Sequence, residues 1–205
     1  PTSVKGLKII CGGSETVGIA NISEISRNEI RKYLQELEAD YVLIDLGAGT
    51  GENTLDYFTF VKSGIVVCTP EPQCRVCNYA LLKNSVFKSF VEICSTDANL
   101  TQILENFIKG PGRANGKVCD FLDLVREKNS KISYEIAEYL KSFQPAIIAN
   151  RVRKRSQIED VNRFVKIVRE FLSIELNNFG FIRSDRSVLE ACQKRSLFVL
   201  DHEEA

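Results

Sequence analysis

The sequence predicts an α/β fold: a doubly wound, mostly parallel sheet with flanking helices and a helical insertion. Short apolar runs alternate with segments of helical periodicity, which is the pattern of parallel crossover units. The apolar run at 41–44 is unbroken, as in strands that are covered on both faces. Residues 95–142 show helical spacing alone and interrupt the alternation. We therefore predict one α/β domain over residues 1–205, with 95–142 as a helical insertion within it.

Each element follows from a local pattern. Ser26 with Glu29 forms a capping box for the first helix, whose apolar residues share one face. Prolines mark a turn at Pro70-Glu71-Pro72, between a strand and a long helix. The predicted strands are 7–10, 41–44, 64–69, 145–150 and 179–182, and the predicted helices after the first are 54–61, 72–90, 156–172 and 188–192.

Composition excludes several classes of function. The 27 basic and 27 acidic side chains cancel, so no global positive field attracts nucleic acid, and direct nucleic-acid binding is not expected. No run reaches the roughly 18 apolar residues of a membrane helix, and the first residues lack a secretory signal. The seven cysteines, an odd number, suit reduced thiols better than a disulfide framework. We expect a cytoplasmic protein.

A nucleotide site is indicated where the strand 41–44 ends. Asp45 follows this strand directly, and Gly47, Gly49 and Gly51 alternate after it. Ligands of open α/β sheets bind outside the carboxyl ends of the strands, where glycine amides can approach an anion closely. The alternative is a tight strand-to-helix turn that binds no ligand.

Two known families carry a motif like DLGAGTG, which spans 45–51 here. It resembles the loop with which class I methyltransferases wrap S-adenosylmethionine, and Glu71 would then hold the ribose hydroxyls. That family needs about six strands after the motif, whereas about four are predicted here. The methyltransferase is therefore kept as the alternative.

More of the chain is similar to a second family. The segments ADYVLIDLGAG, GIVVCTPEP, NYALLK, IIANRVR and GFIRSDRSVLEA resemble, in order and spacing, the later part of a MinD/ParA-like P-loop ATPase. This resemblance covers 39–92 and 143–200. It implies an ATP-controlled switch, a homodimer when complete, that positions or partitions a cargo in the cell. The cargo and any protein partner are not identified by the sequence.

The resemblance implies roles for the residues around the glycine loop. Asp45 would hold Mg²⁺ through water, and Gly49 would lie in the switch loop that senses the γ-phosphate of ATP. These two are the predicted catalytic residues, and Gly47 is assigned to cofactor binding. The chemistry is consistent, because Mg²⁺ prefers oxygen ligands and often keeps its waters.

The resemblance also implies an adenine site. Asn150 matches the asparagine that hydrogen-bonds the base, Arg151 follows it as in the family, and Pro70 completes the predicted cofactor-binding residues. An asparagine side chain offers the donor and the acceptor that the adenine edge requires. The alternative for Asn150 is an ordinary turn residue that ends a strand.

The lysine-containing phosphate loop of the family is missing from the sequence. No segment satisfies GxxxxGK followed by Ser or Thr: residues 12–18 lack a lysine, and after Gly116-Lys117 the hydroxyl position is Val118. We expect the loop to precede residue 1, and we expect no ATP hydrolysis by this chain alone, because the γ-phosphoryl charge would be unsupported. A third interpretation is a pseudo-ATPase module that only binds a partner.

Two further patterns are assigned no function. Cys74 and Cys77 have CxxC spacing, but no second pair completes a zinc site and the only histidine is His202. The basic run 151–155 is predicted to be a solvated entry to a helix.

Overall fold

A computed structural model describes residues 4–11, 23–109 and 116–201. The chain divides into two compact units, Pro1–Leu46 and Gly47–Ala205. Each unit is described by itself below.

The first unit contains helix α1, at Glu24–Gln35. Its N-cap is Ser23, whose side-chain oxygen accepts a hydrogen bond from the backbone N–H of Ser26 at 3.2 Å. The prediction of Ser26 as the cap was wrong, because that residue already lies in the first turn. None of the residues of α1 is buried.

Neither strand predicted for the first unit forms among its described residues. Residues 7–10 and 41–44 are irregular, and Tyr41 and Leu43 are 89% and 90% exposed. A strand satisfies its backbone N–H and C=O groups by hydrogen-bonding to a neighbouring strand. An apolar run without such a neighbour gains none of these hydrogen bonds, so strand structure is not stabilised there.

The second unit contains a parallel sheet of three strands in its described part. The strands are β1 (Ile65–Cys68), β2 (Ala146–Val152) and β3 (Asn177–Arg183), and they are arranged in that order. Cys68 of β1 lies opposite Ala149 of β2, which in turn lies opposite Phe181 of β3. The order in space therefore equals the order in the chain, with a helical crossover between each pair.

Helices make up most of the second unit. They are α2 (Glu52–Val61), α3 (Pro72–Cys94), α4 (Ala98–Lys109), α5 (Val118–Lys128), α6 (Ser130–Ser142), α7 (Arg155–Leu172), α8 (Arg186–Lys194) and α9 (Phe198–Asp201). Pro72 begins α3 at the position where a missing backbone N–H costs no hydrogen bond. Helices α4, α5 and α6 fill the segment between α3 and β2.

The predicted doubly wound, mostly parallel sheet is wrong. The described chain is mostly helical and its sheet has three strands. Along β1, Val66 and Cys68 are buried whereas Ile65 and Val67 are about half exposed. Helix α3 contacts β1, and helix α7 contacts β2. A doubly wound sheet has both faces covered, so the alternating exposure of β1 does not fit that architecture.

An aromatic cluster forms the core between α3, α5 and α6. The fully buried ring of Phe90 stacks on Phe121, with 5.6 Å between ring centroids. Phe87 and Tyr139 approach the same ring edge-on, at 5.7 and 6.3 Å. Buried aromatic pairs add to the burial of their large apolar area, so this cluster stabilises the packing of the helices.

Candidate functional site

The carboxyl edge of the sheet is the candidate site, because parallel strands deliver their ends to one edge. Cys68 pairs with Ala149, so Asn150 is the first residue of β2 beyond the paired end of β1. Pro70 lies in the turn that follows β1, and its carbonyl oxygen accepts a hydrogen bond from Nη1 of Arg75 at 3.0 Å.

Asn150 and Arg151 form an unusual backbone turn within β2. Oδ1 of the half-buried Asn150 accepts a hydrogen bond from the backbone N–H of Arg151 at 2.8 Å. Arg151 has a φ of 59°, in the left-handed region that residues with a Cβ rarely adopt. Because Oδ1 has a second lone pair and Nδ2 carries two protons, the Asn150 amide has the groups to meet a base as well as to hold this turn.

Glu71, in the turn after β1, interacts electrostatically with arginines at the end of β2. The pKa of its carboxyl group lies below the usual range, first because the Thr69 side chain donates a hydrogen bond to it. Its own backbone N–H and the positive charges of Arg151 and Arg153 lower that pKa further. The carboxylate is therefore ionised at neutral pH and is stabilised by the positive charges of Arg151 in β2 and Arg153 just after it.

Arg153 extends this network to the third strand. Its Nε lies 3.5 Å from Oγ of Ser184, which directly follows β3. Its backbone N–H donates to Oε1 of Gln157 at 2.7 Å, at the start of α7. Amide, carboxylate and guanidinium groups thus lie together along one edge, where they can hydrogen-bond a heterocyclic base and hydroxyl groups.

Gly47 and Gly49 lie in the loop that leads into α2. Gly49 has a φ of 111°, so its backbone conformation requires a glycine. A Cβ at either position would meet no atom within 4 Å, which leaves open space beside this loop. Asp45 is an exposed residue of the first unit.

The structure brings three of the predicted site residues to one edge: Pro70, Asn150 and Arg151. Glu71 and Arg153 lie at the same edge, and the sequence did not predict their electrostatic interaction. The signal for this interaction is the presence of opposite charges near the ends of two strands that are adjacent in the sheet. That adjacency is a property of the fold and is not visible in the sequence.

Some predictions fall outside the described residues. The glycine segment 12–18, the turn residues 110–115 and His202 belong to this group. Where the structure does describe the chain, no group of three His, Cys, Asp or Glu side chains is arranged to hold a metal ion. Magnesium bound through one carboxylate, waters and phosphates does not need such a group. None of the described helices combines the length and apolarity needed to cross a membrane.

The sequence matches no protein-family model and no curated protein.

Proposed function

We propose that this chain is the nucleotide-binding portion of a MinD/ParA-like ATPase, a cytoplasmic dimeric switch that positions or partitions a cargo. The observation that carries the proposal is the place of Asn150. Asn150 directly follows the last residue of β2 that pairs with β1, so it lies at the carboxyl edge of a parallel sheet. Nucleotides bind at this edge in open α/β sheets. The Pro70 turn, which the resemblance also assigns to the nucleotide, lies at that edge.

In this proposal Asn150 recognises adenine. Its Nδ2 donates to a ring nitrogen of the base and its Oδ1 accepts from the exocyclic amine, while Oδ1 also holds the Arg151 backbone. The contact of Arg153 with Ser184 joins the loops after β2 and β3 at this edge, and the charge of Glu71 attracts Arg151 and Arg153 towards it. The magnesium role of Asp45 and the γ-phosphate role of Gly49 rest on the sequence resemblance.

Hydrolysis is not part of what we propose for this chain alone. The sequence has no GxxxxGK followed by Ser or Thr, so no lysine and amide loop stabilises charge on the γ-phosphoryl group. The measurable activity is therefore binding of Mg-ATP and not its turnover.

The test uses Asn150→Asp, which keeps Oδ1 for the Arg151 backbone but replaces the Nδ2 donor. Binding of a fluorescent ATP analogue with Mg²⁺ is measured by titration. Losing one hydrogen bond to the base should weaken binding about tenfold, which corresponds to about 1.4 kcal/mol. Binding of the matching GTP analogue should not weaken in parallel, because the lost donor is specific for adenine.

Asn106→Asp is the matched control, because Asn106 is an exposed residue of α4 and the substitution adds the same charge. It should leave ATP binding unchanged. Equal effects of the two substitutions would contradict the adenine role of Asn150. Tight binding of S-adenosylmethionine would favour the methyltransferase instead, and binding of neither ligand would favour the interaction module.

A further inference from the structure

Two cysteines that the sequence does not pair meet at the junction of β1 and α3. Cys68 is the last residue of β1 and is fully buried, and Cys74 is the third residue of α3. Both sulfur atoms contact the backbone of Thr69. Sγ of Cys68 lies 3.5 Å from the carbonyl oxygen of Thr69. The backbone N–H of Thr69 donates to Sγ of Cys74 at 3.3 Å.

Asn78, one turn further along α3, contacts the same junction. Its Nδ2 donates to Sγ of Cys74 at 3.5 Å and to the carbonyl oxygen of Val67 at 3.3 Å. Sγ of Cys74 also lies 3.9 Å from that carbonyl oxygen, so it contacts the backbone on both sides of Cys68. The thiol of Cys74 is close enough to Cys68 to act on its charge. Thr69 and Asn78 therefore hold Sγ of Cys74 against the backbone that flanks Cys68.

The geometry of helix α3 keeps the two cysteines of the CxxC pair, Cys74 and Cys77, apart. Sγ of Cys77 is exposed and its contact is Nε2 of Gln73, at 3.9 Å. Cys74 and Cys77 are both inside the regular helix α3, where residues three apart have Cβ atoms about 5–6 Å apart. A disulfide needs about 3.5–4.5 Å between these atoms, so the helix disfavours the pair with the familiar spacing.

We propose that Cys68 and Cys74 form a reversible disulfide when the protein meets a small-molecule disulfide. Sγ of Cys74, which is half-buried and thus reachable, attacks one sulfur of that molecule. The old S–S bond breaks and releases one thiol. Sγ of Cys68 then loses its proton, attacks Sγ of Cys74 and releases the second thiol. The protein loses two thiol hydrogens, which the two released thiols carry, and the small disulfide is reduced.

The bond would close a short ring around residues 69–73. This segment includes Pro70 and Glu71, so oxidation would tie the turn of the candidate site to the end of β1. The pairing itself does not depend on the proposed nucleotide function, since it follows from the contacts of the thiols.

Peptide mapping of the 205-residue chain tests the proposal directly. The reduced protein is incubated with oxidised glutathione, remaining thiols are alkylated, and the chain is cut with trypsin. Cleavage after Lys62 and Arg75 places Cys68 and Cys74 in one peptide, 63–75, and Cys77 in the next, 76–83. The proposed disulfide leaves the peptide 63–75 unalkylated and lighter by two hydrogens, whereas a CxxC disulfide joins the two peptides.

We expect the internal disulfide in most of the oxidised protein, and we expect it to persist in Cys77→Ser and to be lost in Cys74→Ser. In denaturant the preference for this pair should disappear, because the contacts of Thr69 and Asn78 are gone. Linked peptides 63–75 and 76–83 in the folded protein would overturn the proposal. So would complete alkylation of both cysteines after the oxidant. The two contradicting outcomes are measured on the parent chain, so they stand even if Cys74→Ser fails to fold.

Discussion

Arg151 shows how a single residue can store strain inside a candidate site. The other described non-glycine residues with positive φ are the C-caps of helices, where this conformation is common: Lys62, Ser173 and Arg195. Arg151 instead lies within β2. A left-handed conformation costs a residue with a Cβ roughly 1–2 kcal/mol, so the surrounding contacts must impose it.

We predict that Arg151→Gly makes the protein more stable than the matched change Arg153→Gly by about 1 kcal/mol or more. Both substitutions remove one positive charge that faces Glu71. Only Arg151→Gly relieves a strained φ. Both substitutions raise the conformational entropy of the unfolded chain, because glycine is the more flexible residue. Urea denaturation measures the two free energies of unfolding. Equal stabilities, or a less stable Arg151→Gly, would show that the conformation carries no strain.

At the scale of elements, α2 and α3 are joined by an ion pair. Nζ of Lys88 lies 2.8 Å from Oδ1 of Asp56, whose side chain is only 7% exposed. The same ammonium is 3.9 Å from Glu92. Taking an ammonium away from a buried carboxylate is costly, because a charge in a region poor in water depends on the partners that compensate it.

We predict that Lys88→Met lowers the free energy of unfolding by about 2–4 kcal/mol. Lys131→Met is the control. Lys131 pairs with Glu135 across 4.0 Å on the surface of α6, and exposed pairs of this kind contribute below about 1 kcal/mol. Denaturant titration of both variants gives the comparison. If both substitutions lowered the free energy of unfolding by the same small amount, the ion pair of Lys88 with Asp56 would not stabilise the packing of α2 on α3.

The stability of the whole molecule should depend on pH in the alkaline range. Burial raises the pKa of the Cys68 thiol to about 11, with the neighbouring Cys74 thiol adding to the effect. Burial also raises the pKa of Cys94 to about 11, with a contribution from Asp97, and that of Tyr139 to about 12. In the unfolded chain these thiols lose their protons near pH 9.0 and the phenol near pH 10.0.

We predict that the free energy of unfolding is level between about pH 7 and 8.5 and falls as the pH rises towards 11. Over that range the folded state keeps protons that the unfolded state has released, so each pH unit favours unfolding. Unfolding in urea at several pH values measures the slope. Cys94→Ala should make the decline shallower, whereas Cys119→Ala, which changes an exposed thiol, should not. Identical slopes in the parent and both variants would contradict the assignment.

The sequence by itself determined the local elements of the second unit. Turn chemistry at Pro70 and Pro72, together with apolar periodicity, predicted β1 to β3, α3 and α7 to within a few residues of their observed ends. These elements depend on interactions between near neighbours, such as a proline at a first helical position or a stripe of apolar side chains along one face. The edge position of Asn150 followed from them, because a parallel strand can deliver its end to only one edge.

Only the tertiary structure decided how far the sheet extends and which side chains meet. The runs at 7–10 and 41–44 have strand composition, but a strand requires a paired neighbour. A doubly wound sheet requires helices on both of its faces, and the alternating exposure of β1 in the described chain does not fit that requirement. In the same way, the electrostatic effect of Arg151 on Glu71 depends on the pairing of β2 beside β1, and the approach of Sγ of Cys74 to the backbone of Thr69 depends on the turn between β1 and α3. Contacts of this kind are set by the path of the backbone, and the spacing of residues along the sequence does not encode them.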